Sequence, residues 1–192
     1  MAAPLARDNV VPLFSLEQRE DDALMALARG GRRDAFEVLV ARHQGAVLRI
    51  ASKYLGEVTG ARDACQSAFL EVYRDRDRYR PEGRFGHYLR RVVLNQCHHA
   101  SRRVRTAKQL PPDVEPTSVQ PDERILAEER RQLVEAQLET LSDKLRAVVV
   151  LRYAGEHSLE EVAQILELPL GTVKSRLFAA LRQLAVGLTE AR

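Results

Sequence analysis

The stretch Leu159–Leu184, LEEVAQILELPLGTVKSRLFAALRQL, decides the fold. Just ahead of it Ser158 stands three residues before Glu161, the spacing at which a hydroxyl and a carboxylate each satisfy the other's backbone N–H at a helix start. A short helix is therefore predicted over Ser158–Leu166, with Leu159, Val162, Ala163 and Leu166 turned inward. Pro169 and Gly171 interrupt the period, and a second helix follows over Leu170–Thr189. Short helix, tight turn, helix is the helix-turn-helix layout, whose second helix lies in a major groove. Spaced at about 100° per residue, Val173, Leu177, Ala180, Leu181 and Leu184 gather on one face. Ser175, Phe178, Ala179 and Arg182 point away, with Lys174 and Arg176 on the flanks. A lone exposed phenylalanine is ordinary on a soluble surface, but Leu168–Thr189 carries three basic residues and no acidic one. A phenyl ring can pack on a thymine methyl while a cation beside it holds phosphate or guanine. Phe178 is therefore expected to face DNA.

Outward from this stretch the period stays helical. Apolar residues three and four apart predict helices over Asp21–Arg29, Arg33–Leu55, Gly60–Arg78 and Arg84–Arg105, then about Asp122–Thr140 and Ser142–Tyr153. Between the two groups lies TAKQLPPDVEPTSVQPDE, residues 106–123, with four prolines and no apolar period. Strand-like alternation and internal repeats are absent. The expected architecture is all-α: a tail over 1–20, a helical domain over 21–105, a flexible linker over 106–120 and a second helical domain over 121–192.

Charge is unevenly placed along the chain. Residues 83–112 hold seven Lys/Arg and no Asp/Glu, whereas residues 113–143 hold nine acidic residues against three basic ones. Two basic segments around an acidic one suit two surfaces for a polyanion, separated by a segment that avoids it. Two cysteines, Cys65 and Cys97, cannot build a disulfide framework, which points to a reducing compartment. No apolar run approaches the ~20 residues of a membrane span, and the first residues lack a signal-peptide pattern, so a cytoplasmic location without membrane insertion is expected.

The segment Arg84–Arg105 repeats the theme of the opening stretch. Phe85, Leu89, Val92, Val93 and Ala100 form its inner stripe, while Tyr88, Arg91, Asn95, His98, Arg102 and Arg105 share the opposite side. An aromatic ring, a carboxamide and several cations on one acid-free face can stack on a base, hydrogen-bond its edge and hold its phosphates. In GARDACQSAFLEVYR, residues 60–74, Ala61, Cys65, Ala68, Phe69 and Val72 face inward. Asp63, Gln66 and Leu70 share the outer face, a pattern that fits a protein contact or a plain solvated surface.

With these motifs in order, the chain resembles an extracytoplasmic-function sigma factor of the bacterial sigma-70 family. DACQSAFLEVYR resembles that family's polymerase-binding helix, FGHYLRRVVLNQCHHASRR its helix for the −10 element, and GTVKSRL the core of its −35-binding domain. The resemblance implies a sigma region 2-like domain and a region 4-like helix-turn-helix domain. It implies that Asp63, Gln66 and Leu70 dock on core RNA polymerase. Tyr79, Tyr88, Arg91, Asn95, Arg102 and Arg103 would contact −10 DNA, with Asn95 holding a base flipped from the non-template strand beside the Tyr79–Phe85 loop. Thr172, Lys174, Ser175, Arg176 and Phe178 would contact −35 DNA. Implied partners are core polymerase, promoter DNA and, as often in the family, an anti-sigma factor; no cofactor is implied. Departures from the pattern are Tyr88 in place of a usual tryptophan, His99 for a frequent aspartate, Glu167 at a turn where glycine is common, and Ala179 where some relatives carry arginine.

A stand-alone helix-turn-helix regulator would explain the C-terminal half but leave the second basic helix and Asp63, Gln66 and Leu70 without a role. An enzyme fits less well: the five histidines form no recognised triad, and no glycine-rich phosphate loop is present. Cys97-His98-His99 invites a metal reading, but consecutive helical side chains diverge too far to share one ion.

Overall fold

The computed structural model describes residues 16–107 and 123–190, the side chains of 104–131 and 190 excepted. All regular structure among the described residues is helical. It runs as α1 (Asp21–Arg29), α2 (Arg33–Leu55), α3 (Val58–Arg74), a 3-10 turn (Arg76–Arg78), α4 (Phe85–Ala107), α5 (Glu123–Thr140), α6 (Asp143–Tyr153), α7 (Leu159–Leu166) and α8 (Leu170–Glu190). The expected linker lies outside the described residues except for Thr106 and Ala107, which close α4. The side chain of Arg105 and most of the expected N-terminal tail lie outside them too.

Local chemistry accounts for the boundaries. Asp21 and Asp22 in the first turn of α1 and Arg29 in its last complement the helix dipole. The tail ends earlier than the sequence suggests. Leu16 is wholly buried, and the Arg42 guanidinium donates to the carbonyls of Glu17 at 2.9 Å and Arg19 at 3.0 Å. The third helix also stops earlier, at Arg74 rather than Arg78. Asp75 turns away at φ −94°, and Arg76 Nη1 donates to the Tyr73 carbonyl at 2.8 Å. That side chain satisfies an orphan acceptor and lets the chain tighten into the 3-10 turn.

The two groups of helices share one core. Phe36, Leu39, Ile50, Val72, Phe85 and Leu89 from the first are continuous with Val148, Leu151, Val162, Ile165 and Val173 from the second. Burying one such aliphatic or aromatic side chain contributes about 1.5–3 kcal/mol. Polar contacts rim this seam: Lys53 Nζ to Glu135 at 3.0 Å, the Tyr54 hydroxyl to Asp143 at 3.2 Å, and Arg49 Nε to the Ala154 carbonyl at 3.0 Å. Burial, with Asp143 next, pushes the Tyr54 hydroxyl well above its usual range. Arg146 is almost fully buried at the seam. It donates to the carbonyls of Glu139 at 2.6 Å, Leu141 at 3.4 Å and Tyr54 at 3.3 Å, and lies 5.2 Å from the Tyr54 ring centre. Glu139 and Leu141 stand at and just past the C-terminus of α5, where orphan carbonyls concentrate partial negative charge, so a buried guanidinium is well matched there.

Candidate nucleic-acid and polymerase interfaces

The α7–α8 hairpin is built by its sequence as expected. Glu161 N donates to Ser158 Oγ at 3.1 Å, and Ser158 N donates to Glu161 Oε2 at 2.8 Å. The Ser158 backbone N–H, ahead of other causes, holds the Glu161 carboxyl below its usual range. Val162 and Ile165 are the buried residues of α7. Leu159, Ala163 and Leu166 pack against the core as partly buried residues, as their spacing predicts, and Ile165, absent from the predicted inner set, is buried beside them. Ile165 faces α4 across the seam. Glu167 ends α7 in left-handed geometry (φ 53°, ψ 49°), where the Leu168 N–H reaches the Ala163 carbonyl at 2.9 Å. Pro169 then leads into α8.

On α8 the inner stripe is Val173 and Ala180, fully buried, flanked by Leu177 and Leu184. Leu181 departs from expectation at 40% exposed. It sits about 80° around the helix from Val173, at the stripe's edge, where α5 and α6 no longer cover it. Phe178 is 71% exposed, with Lys174, Ser175, Ala179 and Arg182 exposed around it. Thr172 and Arg176 are partly covered. The Ser175 hydroxyl donates to the Thr172 carbonyl at 3.0 Å, which leaves the exposed oxygen free to accept a further hydrogen bond.

On α4, Phe85, Leu89, Val92 and Val93 are buried as expected, and Asn95, Arg102 and Arg103 are exposed. Tyr88 and Arg91 are half-buried, with the Arg91 guanidinium 5.9 Å from the Tyr88 ring centre. They border a cleft of about 300 Å³ that the loop after the 3-10 turn, α4 and α7 enclose together. The helix itself carries no acid on this face, but other elements bring acids to it. Glu167 forms an ion pair with Arg91. Asp143 lies 2.9 Å from His98 Nδ1, and Glu71 accepts from Gln96 at 2.5 Å. The C-terminal half therefore covers part of the surface that the sequence alone presents as open.

Tyr79, expected among the DNA contacts, is held inside the fold in the free chain. Its side chain is 9% exposed, with its ring 5.7 Å from Phe85 and 5.4 Å from Tyr88. Its hydroxyl donates to Asp22 at 2.6 Å. Burial, reinforced by Asp22, pushes that hydroxyl far above its usual range. Its ring packs into a platform with Phe85 and Tyr88, so Tyr79 supports the loop and lines the cleft from its inner side. Nothing local in the sequence signals Asp22 as its partner.

On α3, Ala61, Ala64, Cys65, Ala68, Phe69 and Val72 are buried. Asp63, Gln66 and Leu70 all face out, Leu70 at 63% exposed. Cys97 is fully buried, His98 points to Asp143 and His99 faces solvent, so the three do not converge. Burial pushes the thiol of Cys65 up to about 11 and that of Cys97 up to about 12, which leaves both as protonated packing groups. No cluster of three His, Cys, Asp or Glu able to hold a metal occurs among the described residues, and none of their helices is long and apolar enough to cross a membrane.

Among the described residues the fold is all-helical and combines a helix-turn-helix, a second cationic helix face and an exposed acid-amide-leucine patch. Comparison with known proteins resolves the class. A model described as Sigma-70 region 2 matches residues 39–107, and one described as Sigma-70, region 4 matches residues 131–184. The ECF RNA polymerase sigma-E factor of Escherichia coli is 32% identical over 181 residues, covering 85% of this chain and 92% of that protein. The RNA polymerase sigma-H factor of Pseudomonas aeruginosa is 28% identical over 181 residues, covering 86% and 92%. Among solved structures, CnrH in complex with the cytosolic domain of CnrY superposes with a TM-score of 0.67 at 27% identity, covering 91% of this chain and 100% of that one. The sigma factor RpoE bound to the anti-sigma factor NepR from Bartonella quintana shares the fold, with a TM-score of 0.57 at 21% identity over 82% of this chain and 98% of that one. The chain belongs to the sigma-70 family, in its extracytoplasmic-function branch. It is an RNA polymerase sigma factor, a transcription initiation factor and not an enzyme.

Proposed function

We propose that this sigma factor divides its task among three outward faces. Asp63, Gln66 and Leu70 on α3 dock on core RNA polymerase. Tyr88, Arg91, Asn95, Arg102 and Arg103 on α4 hold the −10 element, with Asn95 meeting the edge of a base that has left the duplex. Thr172, Lys174, Ser175, Arg176 and Phe178 on α8 hold the −35 duplex. Residues 21–105 and 121–192 act as the two DNA-reading domains, and 106–120 as the tether between them. The work takes place in the cytoplasm. The RpoE–NepR complex supports an anti-sigma factor as a further partner.

The observation that carries this reading is the exposed Phe178, ringed by Lys174, Ser175 and Arg182 on the second helix of a turn-joined pair. A ring left so largely exposed suits a thymine methyl. The test is reconstitution with core polymerase. The chain should co-purify with core and start promoter-specific run-off transcripts. Asn95→Ala should impair transcription from an intact promoter more than binding to the closed duplex. Equal losses on intact and pre-melted promoters would remove the base-flipping role from Asn95.

A further inference from the structure

We propose that Asp22 is a positioning residue for −10 recognition, the clip that fixes the loop between the 3-10 turn and α4. Both carboxylate oxygens are engaged by that loop, and by its two ends. Oδ1 accepts from the Tyr79 hydroxyl at 2.6 Å, and Oδ2 accepts from the Gly83 backbone N–H at 2.6 Å. Arg80, Pro81 and Glu82 lie between those two points as a short tip. Tyr79, Arg80, Glu82 and Arg84 all line the cleft that Tyr88 and Arg91 close from the helix side. A shift at either anchor therefore moves the walls of that cleft.

The arrangement is more than a tie for α1. Its neighbour Asp21 already secures α1 to α2, by pairing with Arg42 and by lying 2.7 Å from His43 Nε2. Asp22 adds a separate connection over separations of 57 and 61 residues, directed wholly at the loop. Gly83 takes φ +68°, a left-handed conformation that glycine adopts without steric cost, and this aims its N–H at the carboxylate. Bonds to an ionised acceptor are roughly twice as strong as neutral ones. The clip is thus strong enough to hold a six-residue loop whose other deep anchor among the described residues is the Tyr79 ring. Asp22 acts through the loop and touches no DNA.

The inference rests on the −10 assignment of α4, so the test includes a variant that reads that assignment alone. Asp22→Asn places an amide against the Gly83 N–H or the Tyr79 hydroxyl, and Tyr79→Phe removes one anchor while keeping the ring in its platform. Each is compared with Asn95→Ala for binding to single-stranded −10 oligonucleotides varied at each base, as complexes with core polymerase. Thermal melting, core affinity and −35 duplex binding are measured alongside. Both loop variants should flatten discrimination at one −10 position by about tenfold, the worth of one readout contact, with core affinity and −35 binding retained. If Asp22→Asn does not fold, Tyr79→Phe decides. Unchanged discrimination in the folded loop variants, with a loss in Asn95→Ala, overturns the clip and leaves the −10 assignment standing. Unchanged discrimination in all three overturns the assignment and the clip with it.

Discussion

Glu167 offers a way to separate backbone strain from charge at the surface where the two halves meet. Its φ of 53° and ψ of 49° place a residue with a Cβ in the left-handed region, which costs roughly 1–2 kcal/mol relative to ordinary helix geometry. Its carboxylate, meanwhile, rests on Arg91, a cation proposed above to hold the −10 element. Glu167→Gly relieves the strain but gives back about 0.5–1 kcal/mol through the greater freedom of the unfolded chain. The pair is worth at most about 1 kcal/mol, because the Glu167 side chain is 69% exposed and well solvated. The glycine variant should thus match the parent in stability to within about 1 kcal/mol. Glu167→Gln keeps the strain and loses only the charge, so it should be the less stable of the two variants. Both should bind a single-stranded −10 oligonucleotide more tightly than the parent, by up to about fivefold, since an intramolecular anion no longer competes for Arg91. Urea denaturation measures the first pair of outcomes and fluorescence anisotropy the second. Parental −10 affinity in Glu167→Gln at both low and moderate salt would refute the competition.

Three further outcomes follow from the other faces. Replacing Asp63 and Gln66 together with alanine should weaken core-polymerase binding in a pull-down while leaving circular dichroism unchanged, because both side chains point outward. On the −35 duplex, Lys174→Ala should reduce the log–log salt slope by about one and act on all sequences alike. Phe178→Ala should instead keep the slope and relax discrimination at one base pair by roughly 1 kcal/mol or more. His87 and His157 both titrate below the usual histidine range, chiefly through burial and next through the Arg90 charge, with Glu161 opposing. The unfolded chain therefore binds protons more readily at these sites, so stability falls as pH drops through the unfolded value near 6.5 and is fully present above it. Denaturation midpoints between pH 7.5 and pH 5.5, endpoints of roughly one pH unit on either side of that value, should decline more steeply for the parent than for His157→Gln. Parallel declines would show that His157 plays no part.

Local patterns were enough to read the helices, because each signal lies within a few residues of its effect. The Ser158–Glu161 box, the α8 stripe and the outward Asp63, Gln66 and Leu70 are all of this kind. What the local patterns do not carry has the opposite property. Tyr79 is buried by a partner 57 residues away in sequence, and Glu167 reaches a helix that begins some eighty residues before it. Ile165 faces inward only because a second set of helices stands there to receive it. Helical periodicity says which side of a helix is apolar, but not which neighbour meets its margins, and acids delivered from elsewhere leave no trace in a helix's own charge pattern.

The continuous core has a calorimetric consequence. Phe36 in α2 and Val173 in α8 belong to one unbroken set of buried side chains, with Arg146 hydrogen-bonded across the seam. Melting either half would strip apolar cover from the other, so the free chain should absorb heat in a single peak whose calorimetric and van't Hoff enthalpies agree. A substitution that opens the seam, such as Arg146→Ala, would take each half's cover from the other and let the two melt as smaller units at separate temperatures. The count of thermal transitions would then report directly on whether the seam is closed.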